Sequence, residues 1–74
     1  MKFRIIMEKI KIHTDYIKLD QFLKWANLVD SGAQAKLLIL DGKVKVNNEV
    51  ELKRGKKIIK GDIIEFENKI IQVY

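Results

Sequence analysis

Between Ser31 and Asn48 the chain carries a helix start, a helix stop and a hairpin turn in direct succession, and that order restricts the fold more than any other feature. Ser31 with Gln34 three residues later predicts an N-cap whose capping box satisfies two free backbone N–H groups. Ala35, Leu38 and Ile39 then fall on one side of a helix, and Gly42 stands where a left-handed cap ends it near Asp41. Beyond the cap, Lys43-Val44-Lys45-Val46 alternates as a strand. Asn47 and Asn48 both tolerate positive φ, which predicts a two-residue turn into a returning strand carrying Val50 and Leu52.

The flanking segments extend this mixed pattern. Residues 3 to 12 alternate loosely, with Ile10 and Ile12 flanked by Lys9 and Lys11, as in a strand with one solvent face. From Lys18 the period changes: Leu19, Phe22, Leu23 and Ala26 form the apolar stripe of a helix of about ten residues, with Lys18, Gln21 and Lys24 turned away from it. Arg54 to Lys57 form a basic loop around Gly55. Gly61-Asp62 turns the chain into Ile63 to Phe66, and Asn68 turns it into Ile70 to Tyr74. The expected fold is α+β: two short helices, antiparallel or crossed, packed on one face of a small, mainly antiparallel β-sheet.

Seventy-four residues suit one domain spanning 1–74. At this size only roughly 60 to 65% of the unfolded surface is buried, so the core is thin and a deep catalytic cavity is not expected. The chain has no cysteine, which removes disulfides and thiolate metal sites. The longest aliphatic run, Leu37 to Leu40, is far too short to span a membrane, and Arg4, Glu8, Lys9 and Lys11 interrupt the start too often for a signal peptide. A soluble cytoplasmic protein is expected, with Met7 a candidate second start. His13 is the lone histidine, and no carboxylate pair recurs beside it, so neither a nucleophile with its base nor a metal cage can be assembled. No catalysis, cofactor or small-molecule substrate is expected.

The net charge of +5 is concentrated. Residues 43 to 60 hold seven basic and two acidic groups, whereas residues 61 to 74 hold one and three. Lys43, Lys45, Lys53, Arg54, Lys56, Lys57 and Lys60 thus form a local field of the kind that attracts nucleic acid. Charge alone is equally consistent with lysines that confer solubility and guard strand edges. Glu49 and Glu51, two apart on a strand, are expected to sit across from Lys43 and Lys45.

The ordered string Lys18-Leu19-Asp20-x-x-Leu23, Ser31-x-x-x-Ala35-x-x-Leu38-Ile39-x-x-Gly42-x-Val44-x-Val46-Asn47 and Gly61-Asp62 resembles the RNA-binding domain named after ribosomal small-subunit protein S-four, the alpha-L motif. The motif core covers about residues 18–66, with 1–17 as an N-terminal strand and lead-in, so the chain is similar to the small stand-alone members. The resemblance implies non-catalytic binding of structured RNA, ribosomal RNA above all, and partners such as the ribosome or its precursor particles. Three positions depart from the common pattern. Lys18 and Gly32 stand where many members have Arg, and Asn47-Asn48 stands where the turn usually reads Asn-Gly. Lys18 keeps the charge without the bidentate fork. Gly32 removes a cation from the mouth of the second helix.

Physical chemistry places the contact surface at that mouth. Free amides at Ser31, Gly32 and Gln34 and the helix dipole attract phosphate, with Lys36 one turn on. Lys43 and Lys45 share a strand face, Lys53, Arg54, Lys56 and Lys57 extend it, and Lys18 and Asn47 lie at matching family positions. Such a patch reads shape and backbone more than bases. Ser31 and Asn47 also have purely structural roles as a cap and a turn, and Asp20 is expected to hold the start of the first helix. Two other readings remain open: a DNA-associated accessory using the same patch, and a protein-interaction module docking through Trp25, which lies beside the apolar stripe of its helix.

Overall fold

The period change near Lys18 separates a strand region from a helical one, as the alternating and 3.6-residue patterns require. The computed structural model describes residues 6–74, so the first part of the expected strand over 3 to 12 lies outside the described residues. Two helices, α1 (Leu19–Trp25) and α2 (Gly32–Leu40), follow strands β1 (Ile6–Ile10) and β2 (Ile17–Lys18). After them come β3 (Val44–Val46), β4 (Glu49–Val50), β5 (Lys57–Ile58), β6 (Ile63–Phe66) and β7 (Lys69–Val73). The main sheet has the order β1-β7-β6-β3-β4, antiparallel throughout except that β1 runs parallel to β7, while β2 and β5 make a separate antiparallel ribbon. The expected α+β fold, two helices on a small and mainly antiparallel sheet, is the observed one.

One core joins the layers. Leu19, Phe22 and Leu23 of α1 and Ala35 and Ile39 of α2 are buried against Val44, Val46, Ile64, Phe66, Ile71 and Val73 of the sheet. Ile58 and Ile12 close its margins. Each large aliphatic or aromatic side chain buried in this way contributes about 1.5–3 kcal/mol relative to exposure, which a chain of this size needs.

Both helices end in the same device. At α2 the Lys43 N–H donates to the Leu38 carbonyl (3.1 Å) and the Gly42 N–H to that of Ile39 (3.0 Å), with Gly42 at φ +75°, a Schellman cap as expected from the glycine. At α1 the Leu28 N–H reaches the Leu23 carbonyl (2.9 Å) and the Asn27 N–H that of Lys24 (2.9 Å), with Asn27 at φ 61°. Asparagine thus stops α1 after seven residues, so the helix is shorter than the periodicity predicts and Ala26 is its C-cap. The hairpin turn forms as expected, with Asn47 at φ 51° and Asn48 at φ 71°, a type I′ geometry.

That turn corrects one expectation about register. A two-residue loop at 47–48 sets Val46 opposite Glu49 and Lys45 opposite Val50, so the glutamates lie on the valine side and not across from the lysines. Glu65 of β6 is the oppositely charged register partner of Lys45 instead. Strand β4 carries Val50 as expected but ends there, so Leu52 lies beyond it, and both side chains are about half exposed.

Candidate nucleic-acid interface

The N-terminus of α2 is built locally. Ser31 arrives extended (φ −147°, ψ 161°) and its Oγ accepts from the Gln34 N–H at 3.1 Å. The return bond differs from a reciprocal capping box: Gln34 Oε1 accepts from the N–H of Asp30 (2.9 Å), one residue before the cap. Among the described residues, the amides of Gly32 and Ala33 have no acceptor. A side chain at Gly32 would meet nothing within 4 Å, so this end is sterically open. Lys36 is exposed one turn along.

The start of α1 is closed. Lys18 is its N-cap and gives no side-chain cap, but the Leu19 N–H donates to the Lys56 carbonyl (2.8 Å) and the Asp20 N–H to the Arg54 carbonyl (3.1 Å). Asp20 Oδ1 takes the Gln21 N–H at 2.7 Å, so it holds the helix start as expected. The basic loop is therefore pinned against α1 by its carbonyls. Its side chains, Lys53, Arg54, Lys56 and Lys57, are exposed.

Pairing of β2 with β5 then concentrates the charge. Ile17 faces Ile58, which is buried, and the next pair is Lys18 opposite Lys57. Alternation along a strand turns these two lysines outward together. Like charges directly opposite on neighbouring strands repel, so this arrangement is intrinsically unfavourable without an anion. The Lys57 ammonium also lies 4.8 Å from the centroid of the Tyr16 ring, a cation–π contact that holds it in place.

The remaining candidate residues are distributed differently from the sequence expectation of one surface. Lys43 follows α2 at its C-terminal end, and nine helical residues put roughly 13 Å between that end and the Ser31 mouth. Lys45 lies in register with Val50 and Glu65, whereas its neighbours Val44 and Val46 are buried among the helices. Its side chain thus points to the sheet face turned away from α1 and α2. The helix mouth and Lys45 do not share a side, because the helices cover the face onto which the valines project. Asn47, though exposed, is committed to neighbouring backbone and side chain: its Nδ2 donates to Asp62 Oδ1 (3.1 Å) and its Oδ1 accepts from the Ile63 N–H (2.9 Å). Asp62 Oδ2 in turn accepts from the Ile59 N–H (2.9 Å), so Asn47 ties the hairpin turn to the Gly61-Asp62 turn. Asn47, Lys56 and Lys57 line a cleft of about 370 Å³ together with Glu49, Glu51 and Asp62, whose charges oppose those of the lysines.

Sequence reasoning missed the β2–β5 ribbon, since two-residue strands carry no periodicity. It also missed the exposed leucines of α2, Leu37 and Leu40. Among the described residues, no group of His, Cys, Asp and Glu is arranged to hold a metal, and no helix is long and apolar enough to cross a membrane.

Two helices on a mixed sheet, with a capped α2 feeding a type I′ hairpin, define a small α+β protein of the alpha-L type. The family model described as "S4 domain" matches residues 10–74, and the chain belongs to that family. It is similar to the probable ribosome maturation protein RlbA of Bacillus subtilis, 43% identical over 58 residues, covering 78% of this chain and 82% of that protein. It is also similar to the putative RNA-binding protein YbcJ of Escherichia coli, 38% identical over 58 residues and covering 78% of this chain and 83% of that one. The solution structure of YbcJ, described as revealing an alpha-L motif involved in RNA binding, superposes with a TM-score of 0.63 at 33% identity, covering 95% of this chain and 87% of that one.

Proposed function

We propose that this protein binds structured RNA without acting on it chemically, and that its target is ribosomal RNA on the ribosome or on a precursor particle. The observation that carries the reading is the Lys18–Lys57 pair. Two lysines are held side by side, flanked by Arg54 and Lys56 whose carbonyls are turned into α1 and whose side chains are exposed. A polyanion relieves the repulsion that the fold imposes there. The names of the relatives, an RNA-binding protein and a ribosome maturation protein, support the same partner class.

The geometry favours RNA over duplex DNA. A major-groove reader lines the outer face of a helix with hydrogen-bonding side chains, whereas the exposed side of α2 carries Leu37 and Leu40 beside Gln34 and Lys36. A cationic edge without such a helix suits the shallow minor groove, 2′-hydroxyls and phosphates of A-form RNA. Binding to ribosomal RNA fragments and to duplex DNA of equal length, measured across a salt series, tests the proposal. RNA is expected to bind more tightly, with log affinity falling by about one unit per log unit of salt for each phosphate neutralised. Equal affinity for both removes the RNA assignment.

A further inference from the structure

We propose that the sheet face turned away from α1 and α2 is a dimer surface, on which a second copy of this chain seats about a two-fold axis running along the strands. The inference goes beyond the RNA reading above and stands without it.

The strand registers define one row of side chains across this face. Val50 of β4 pairs with Lys45 of β3, Lys45 with Glu65 of β6, Glu65 with Ile70 of β7, and Ile70 with Met7 of β1. Residues paired in this way point to the same side of a sheet, and their neighbours Val44, Val46, Ile64 and Ile71 are buried under the helices. The row therefore projects the other way. Nothing among the described residues covers it: Met7 is 77% exposed, Val50 51%, and Ile70 is partly exposed. Ile63, two residues before Glu65 and on the same face, is exposed too and adjoins Met7 and Ile70 in a groove of about 160 Å³. Apolar side chains gathered on an open face mark a contact surface, unlike exposed ones scattered singly.

The order of the charges selects the occupant. From β4 to β7 the row reads apolar, cation, anion, apolar. Half a turn about an axis between β3 and β6 lays over it the order apolar, anion, cation, apolar. Lys45 of one copy then meets Glu65 of the other, twice by symmetry, and Val50 meets Ile70. A two-fold contact needs a patch that is its own complement, and this row meets that condition. Stacked sheets keep their strands within about 30° of each other, so the match holds around the axis. The β2–β5 ribbon, hydrogen-bonded to the start of α1 and packed through Ile58 into the core under the helices, lies on the far side. Both cationic edges thus stay free in the pair. Five strands at about 4.8 Å spacing make a face only roughly 20 Å across, so the association is weak and concentration-dependent.

The test is analytical ultracentrifugation of the full chain without RNA, in a concentration series reaching the millimolar range. The native chain is expected to show a monomer–dimer equilibrium. Lys45→Glu puts two carboxylates at the centre of the row and Glu65→Lys two ammonium groups, so each variant alone is expected to associate at least about ten-fold more weakly. Mixed in equal amounts, the two variants regain opposite charges across the axis, although the like-charge pair inside each chain persists. Association is therefore expected to return in the mixture, a result that altered folding does not produce. Circular dichroism checks that each variant is folded. Should either fail, Ile70→Thr, which keeps a strand-forming residue, takes its place and is expected to weaken association in the native charge background. A native chain that stays monomeric throughout overturns the proposal. So does association that these variants leave unchanged, or a mixture that associates no better than its components; either result moves the contact to another surface.

Discussion

Replacing Lys18 by Gln separates binding from folding, because the two are expected to move in opposite directions. Lys18 is the register partner of Lys57, and side chains so paired have Cβ atoms about 4.5–5.5 Å apart. Relieving a like-charge pair of that kind is worth about 0.2–1 kcal/mol. Lys18 is also the N-cap of α1, where a cation opposes the helix dipole by about 0.3–1 kcal/mol at low ionic strength. No cap hydrogen bond is lost, since its side chain makes none. Both terms act on an exposed side chain, so the lower halves of the ranges apply and the net gain is about 0.5–1 kcal/mol. For a domain of this size that raises Tm by roughly 2–8 °C. The gain is expected to shrink with added salt, which screens both terms. Over the same change, the slope of log affinity for RNA against log salt is expected to become shallower by about one. Thermal unfolding followed by circular dichroism at two salt concentrations, together with an RNA titration series, measures both. A Tm that falls or stays constant, with an unchanged salt slope, refutes the reasoning that the β2–β5 ribbon holds unneutralised charge for RNA.

Gly42→Ala is expected to cost about 1–2 kcal/mol in urea unfolding, because φ +75° penalises a Cβ although the nearest atom, Val50 Cγ1, would be at an ordinary 3.6 Å. Gly42→Asn should cost clearly less, and equal losses would mean that crowding and not backbone conformation sets the penalty. Asn47→Ala removes the bonds to Asp62 and Ile63 and is expected to destabilise by about 1–3 kcal/mol while leaving the RNA salt slope unchanged. A binding defect in Asn47→Ala without a stability defect contradicts its structural assignment. Gly32→Arg is expected to fold with stability within about 0.5 kcal/mol of the parent, as the site is open, and to steepen the salt slope by about one. An unchanged slope shows that the mouth of α2 lies away from the RNA.

Elements governed by local backbone chemistry were legible from the residues alone. Ser31 capping α2, Gly42 ending it and Asn47-Asn48 turning the hairpin each depend on a few neighbouring atoms, and each formed as read. The end of α1 was misjudged because the left-handed conformation there falls on Asn27, a weaker signal than glycine. The cross-strand assignment of Glu49 and Glu51 was open to correction by arithmetic, since a two-residue turn already dictates that Lys45 faces Val50. What local chemistry does not contain is the pairing of distant segments. The two residues of β2 find those of β5 across the intervening helices, and the charge they bring together is not adjacent in sequence. For the same reason, grouping Lys45 with the α2 mouth followed chain proximity, whereas the covered face of the sheet decides which way that side chain points.

The position of β7 bears on how such a chain acquires its shape during synthesis. Strand β7, the seventh in chain order, lies inside the sheet between β6 and β1 and contributes the fully buried Ile71 and Val73. Among the described residues β1 pairs with β7 alone, so it must wait for residues 69–73 to emerge before its hydrogen bonds close. The sheet therefore closes only after residues 69–73 have emerged, and until then the slot between β6 and β1 stands open to any extended peptide that passes.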